Sequence, residues 1–355
     1  MKIPQNLPRF SDYTREEALR LLLEKEYGCP PPQPDTLEFH VVRREEDAFA
    51  GKAVHATVEA WATFQGRGFS FPFHLVCPKA GQPVPGVVLL NFTPAVPDPY
   101  LPSEELCDLG LAVASFHCGD VSPDNGDFTS KAGGLFQVDR SLPTAPGKLA
   151  LWAWGASVVR EYLAACPEID QKAVAVAGHS RLGKTALLAG ALDKRFQFVF
   201  ANESGCSGAA LYRGKQGETA ADIQRVFPIG SAPASPAAPG TQSSSPLTSI
   251  FCCPSSPPGS CTSPARRKTS GPTPPRSFWA AWRRLPPSRR PASPVLWERG
   301  RSPSWARPAT RGTSATTCGR ASISSAGRIG ASSRRICSST GKNKGTSCQS
   351  ASNMV

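Results

Sequence analysis

The side chains best arranged for chemistry lie in Ala173–Leu188, AVAVAGHSRLGKTALL. Ala173–Ala177 are small or β-branched apolar residues and predict a buried strand. Gly178–Arg181 predict a tight turn, and Leu182 onward, with Ala186, Leu187 and Ala189, predicts a helix. A serine on such a turn, Ser180, is lifted above the sheet edge while the first helical N–H groups point to where an oxyanion would form. That is equipment for acyl transfer. The same letters admit a second chemistry. Gly178, Gly183, Lys184 and Thr185 have the spacing of a phosphate loop, whereas the G-x-S-x-G pattern fails at Leu182. On that reading Gly178–Thr185 binds a nucleotide with Mg²⁺, and Phe196–Glu203 is the acidic metal-binding strand. A phosphate loop usually follows the first strand of its domain, but here several strand-like runs come first.

The string G-H-S-R-L-G-K, followed by A-N-E-S-G-C at Ala201–Cys206, resembles the glucuronoyl esterases (4-O-methyl-glucuronoyl methylesterases). These are α/β-hydrolases with a G-x-S-R-x-G-K nucleophile motif. The resemblance covers Gly147–Pro228 well and the earlier chain more loosely. It implies an α/β fold, an α/β-hydrolase-like three-layer sandwich, here truncated after the nucleophile half. It also implies a serine-type carboxylic ester hydrolase without cofactor or metal, cleaving esters of (4-O-methyl)glucuronate in a small molecule or oligosaccharide. A broader acetyl-sugar esterase is the alternative within that class.

Ester hydrolysis needs a hydroxyl activated by a base, a carboxylate to orient the base, and donors for the oxyanion. Ser180 is the candidate nucleophile. Arg181 would donate its backbone N–H and set its guanidinium beside the developing charge. Lys184 lies one turn on, on the same helix face, and the resemblance implies that it contacts ring hydroxyls. Glu203, ending the next strand, is the candidate acid; an acidic residue after a later strand is the alternative. Cys206 reads as a small packing residue. No base follows: the five histidines are His40, His55, His74, His117 and His179, whereas this fold's chain order is nucleophile, acid, histidine. His179 reads as packing and His117 as a loop or core histidine.

The elements that must position these groups are legible upstream. In residues 1–35, Thr14-x-x-Glu17 predicts a capping box, then a lid or packing helix through Ala18, Leu19, Leu22 and Leu23, ended by Gly28. Residues 36–228 read as the partial hydrolase domain. Thr36–Val42, Val54–Phe64 and Phe69–Val76 predict an antiparallel meander; Val87–Phe92 and Leu111–Phe116 predict strands buried on both faces. Asn91–Pro94 is where a second oxyanion N–H would come from, or else an ordinary loop. Gly147–Ala165 predicts a helix and Phe196–Asn202 a strand.

The net charge of +13 is uneven: residues 1–228 hold 22 basic against 26 acidic residues, and residues 229–355 hold 18 basic against one acidic. The tail is rich in Pro, Ser and Arg, with no periodicity, and reads as a low-complexity, disordered segment; a nucleic-acid-binding arm is its face-value alternative. A sharper reading is an out-of-frame translation. If one base was lost near Pro228, each observed codon supplies the second and third bases of the original. Ile229–Ser235 then permits [HY]-W-F-C-P-R-F, and Phe251–Thr273 permits two buried strands and an acidic loop. A histidine codon would straddle Ser322 and Ile323. The chain as written is then expected to be inactive and poorly soluble, since losing a triad member costs roughly four to six decades in rate. The twelve cysteines lack metal-ligand spacing, and no leader or membrane span is seen, so the expectation is a reduced, cytoplasmic protein with no nucleic-acid or membrane partner.

Overall fold

The computed structural model describes residues 13–98, 103–210, 217–233 and 320–322. The chain divides into a unit of residues 1–323 and a unit of residues 324–355, the second wholly outside the described residues. The readings of 234–319 and 323–355 fall outside them too.

Helix α1 (Arg15–Leu22) starts at the expected capping box: Glu17 N–H donates to Thr14 Oγ1 at 3.2 Å and Thr14 N–H to Glu17 Oε2 at 2.8 Å. One π-helical turn (Leu23–Tyr27) extends it to Gly28. Tyr27 is fully buried and its hydroxyl donates to the Ser207 carbonyl at 2.6 Å, so this is a packing element.

Strands β1 (Thr36–Ala48), β2 (Ala53–Phe64) and β3 (Arg67–Pro78) form the antiparallel meander. Strands β4 (Val84–Asn91), β5 (Ala112–His117), β6 (Ile169–His179) and β7 (Phe198–Asn202) run parallel, and β3 joins the two halves antiparallel to β5. With a short strand β8 (Arg320–Ser322), the sheet order is β7-β6-β4-β5-β3-β2-β1-β8. Alternation along the parallel strands sends successive residues to opposite faces. Val88, Ala114, Val176 and Val199 pack with Trp152 and Leu187, whereas Val87, Val113, Ala175 and Phe200 pack with Leu106. Helices α5 (Lys148–Ala164) and α6 (Arg181–Leu192) therefore cover one face and α2 (Ser103–Asp108) the other. Three layers result, and they explain why the strand sequences are apolar without alternation. Short helices α3 (Cys118–Val121), α4 (Lys131–Leu135) and α7 (Ala220–Val226) complete the set. No helix among the described residues is long and apolar enough to cross a membrane.

Three expectations need correction. The four-residue turn at Gly178–Arg181 is a single residue, because β6 runs to His179 and α6 begins at Arg181. Strand β1 continues past Val42 to Ala48, carried by pairing with β2 through a run of charged residues. The tail, where no element was expected, holds β8 (Arg320–Ser322), antiparallel to β1 at the sheet edge opposite β7.

The packed chain also continues beyond Pro228. The carbonyls of Ile229 and Gly230 accept the N–H groups of Lys148 and Leu149 at 3.0 and 3.2 Å, filling needs at the start of α5. Ala232 N–H donates to the Glu26 carbonyl at 2.9 Å. These are main-chain bonds, which a different set of non-proline side chains would leave in place.

Candidate active site

Because β4 to β7 are parallel, whatever follows each strand gathers along one rim. Asn91 is level with His117, Leu89 with Ala177, and His179 with Asn202. Ser180 and Glu203 are the next residues after two neighbouring strands.

Ser180 has φ 56° and ψ −121°, a conformation that non-glycine residues rarely adopt and that neighbouring structure must enforce. Its N–H donates to the Asn202 carbonyl at 2.9 Å, and its carbonyl accepts from Lys184 N–H at 3.1 Å. The turn is tight enough that a Cβ on Gly178 would stand 2.2 Å from the Leu182 oxygen, and one on Gly183 would stand 2.9 Å from the Asn202 oxygen. The glycines in the motif are thus required by backbone approach, not by a phosphate.

The phosphate-loop alternative fails on the same geometry. Strand and helix are separated by one residue, leaving no loop to wrap an anion. Lys184 is buried with Nζ on the Ser204 carbonyl at 2.5 Å, and Thr185 Oγ1 donates to the Arg181 carbonyl at 3.0 Å. The Lys184 ammonium is thereby bound to Ser204, the residue that follows Glu203.

The Arg181 guanidinium meets one carboxylate and three aromatic rings. NH1 donates to Asp124 Oδ1 at 2.5 Å, and its guanidinium carbon lies 4.1, 5.4 and 6.0 Å from the ring centres of Phe227, Phe92 and Trp152. The loop after β4 is ordered by buried Asp98, which accepts from Asn91 Nδ2 at 2.5 Å and Thr93 Oγ1 at 2.6 Å. That is the loop singled out for a second oxyanion donor.

Glu203 is exposed, with φ 46°, immediately beyond β7. Cys206 is fully buried against Ala220, Ile223 and Phe227, as expected for a packing residue. His117 Nδ1 lies 3.5 Å from Asp120 Oδ2 at the end of β5. His179, expected to pack, is exposed instead, and its Nδ1 meets the Asn202 amide at 3.0 Å. A strand end has no layer above it to pack against. His55 and His74 bring ring nitrogens within 3.0 Å across β2 and β3; burial pushes both below the ordinary imidazole value. Among the described residues no histidine hydrogen-bonds Ser180 Oγ.

Sequence reasoning missed Asp124, Asp98 and the three rings around Arg181. Asp124 is distant in sequence from Arg181, and no motif joins the two.

A family profile described as fungal glucuronyl esterase matches residues 61–229. A carbohydrate esterase from an unknown prokaryotic organism is 44% identical over 125 residues, which are 34% of this chain and 28% of that protein. The 4-O-methyl-glucuronoyl methylesterase of Schizophyllum commune is 28% identical over 222 residues, 59% of this chain and 51% of its own. The solved glucuronoyl esterase of Solibacter usitatus superposes with a TM-score of 0.60 at 27% identity, covering 67% of this chain and 70% of that one. The chain thus spans about half or less of the length of these curated relatives. Residues 61–229 thus match the glucuronoyl esterase family, and the fold is that of the α/β-hydrolases.

Proposed function

We propose that the protein from which this chain derives is a serine carboxylesterase that cleaves esters of (4-O-methyl)glucuronate, with Ser180 as nucleophile. The observation that carries the reading is the strained Ser180, alone between β6 and α6 and beside the strand that Glu203 follows. Ser180 Oγ would attack the ester carbonyl and pass its proton to a base. The tetrahedral oxyanion would be met by the N–H of Arg181 and its guanidinium. The alcohol would leave with the proton, and water would then hydrolyse the acyl-enzyme. Glu203 orients the base, and Lys184, held by its bond to the Ser204 carbonyl one helical turn beyond Ser180, contacts the ring hydroxyls of the substrate. The substrate is a small-molecule or oligosaccharide uronate ester, and no step calls for a cofactor.

The base is the missing part. Every histidine in the chain precedes Ser180. This supports reading residues from about 229 onward as out of frame, so that the translated chain is inactive. Independent DNA reads across codons 226–230 decide the frame: a one-base restoration that recovers F-P-[HY]-W-F is expected, and an intact frame ends the idea. On the frame-restored protein, a fluorophosphonate probe should label Ser180, with labelling lost in Ser180→Ala. Labelling that persists in that variant assigns the chemistry elsewhere.

A further inference from the structure

We propose that Asp124 is a positioning residue that both holds the Arg181 guanidinium at the Ser180 turn and offsets its charge. The site thereby favours a neutral ester over the carboxylate that hydrolysis releases. This rests on the ester-hydrolase reading above and adds a residue and a selectivity to it.

The environment of the guanidinium is lopsided. The Arg181 side chain is only 16% exposed, and Phe227, Phe92 and Trp152 offer it ring faces. Ring faces attract a cation but neither neutralise it nor fix its rotation. Among the described residues Asp124 is the side chain that supplies both a negative charge and a directed bond, at 2.5 Å. The segment carrying it is itself anchored to α5. Trp152 Nε1 donates to the Ser122 carbonyl at 2.9 Å, and Lys148 Nζ donates to Ser122 Oγ at 2.9 Å and to the Asp127 carbonyl. The Asp127 carboxylate then accepts from Thr129 and Ser130. Asp124 therefore stands on a built platform.

Ester and product differ by one negative charge at the carbon that Ser180 attacks. An unpaired guanidinium on the adjacent residue would hold the product carboxylate far more tightly than the ester and so retard its release. Pairing one edge of the guanidinium with Asp124 leaves the other N–H groups as donors to an oxyanion while reducing the net field felt by a full carboxylate.

The test compares the full chain with its Asp124→Asn, Asp124→Glu and Asp124→Asn/Arg181→Met variants, by NMR titration at neutral pH. The probes are glucuronate, its methyl ester and acetate. Acetate carries the carboxylate without the sugar and so reports on Arg181 whether or not a sugar site exists. The expected result for Asp124→Asn is carboxylate binding tighter by about fivefold or more, with ester binding unchanged or weaker. The gain should fade with added salt, vanish in the double variant and be absent in Asp124→Glu. Acetate affinity of Asp124→Asn within twofold of the parent overturns the proposal, as does an equal change for acid and ester. Tighter acetate with no glucuronate or ester binding by any form upholds the role of Asp124 and removes the glucuronate reading instead.

Discussion

The N–H of Ser180 donates to the carbonyl of Asn202 at 2.9 Å, tying the turn that carries the hydroxyl to the residue just before Glu203. Two strand ends that are separate in sequence are thereby fixed at one height on the rim. Both residues that follow, Ser180 at φ 56° and Glu203 at φ 46°, are in the left-handed region. Strain at two adjacent exits of a parallel sheet is what a site held by its surroundings looks like.

Replacing Ser180 by glycine should release that strain. The unfolding free energy in urea is expected to rise by about 1 kcal/mol, while probe labelling of the frame-restored protein disappears. A glycine variant less stable than its parent would show that the turn stores no strain.

Gly178→Ala should act in the opposite sense. Its methyl would meet the Leu182 carbonyl, a backbone atom inside α6 that has no freedom to swing aside. A loss of about 3 kcal/mol or outright aggregation is expected on expression and denaturation. Parent-like stability would mean that strand and helix are further apart than described.

Asp98 should prove structural for the loop after β4. Asp98→Ala takes the acceptor from Asn91 and Thr93 in a buried place, and about 1–3 kcal/mol of stability should go with it. Asp98→Asn, which keeps one acceptor oxygen, should lose less. Equal losses for the two would argue that charge, not the hydrogen bonds, matters there.

Lys148 gives a pH signature. Burial pushes its ammonium down from 10.5 to about 8. Between about pH 8 and 10.5 the unfolded chain holds a proton that the folded one has released, so this residue makes stability rise with pH in that window. Other groups titrate there too, so the measurable quantity is a difference. The stability of the parent minus that of Lys148→Met should climb from pH 8 to pH 10.5. A flat difference refutes the shift.

Local order was readable because its causes are local. Thr14 and Glu17 announce their capping box, the apolar runs around Val87 and Val113 announce strands covered on both sides, and Gly147–Ala165 spells a helix. The motif around Ser180 announced a strand, a turn and a helix in the same way, but its glycines fitted two chemistries. The length of that turn was misread: four residues of turn-forming character became one, because pairing of Gly178 and His179 with Ala201 and Asn202 kept the strand going.

What the linear chain determined, then, is which segments are strand or helix and which serine stands at a junction, since hydrophobic period and backbone sterics act over a few residues. Only the tertiary structure decided between hydroxyl presentation and phosphate binding, by burying Lys184 and Thr185 against main-chain carbonyls. It alone brought Asp124 to Arg181 and closed the ring of Phe92, Trp152 and Phe227 around the guanidinium. Those partners come from four different segments, and their meeting depends on the order in which strands join a sheet, a choice made by the packing of the whole domain.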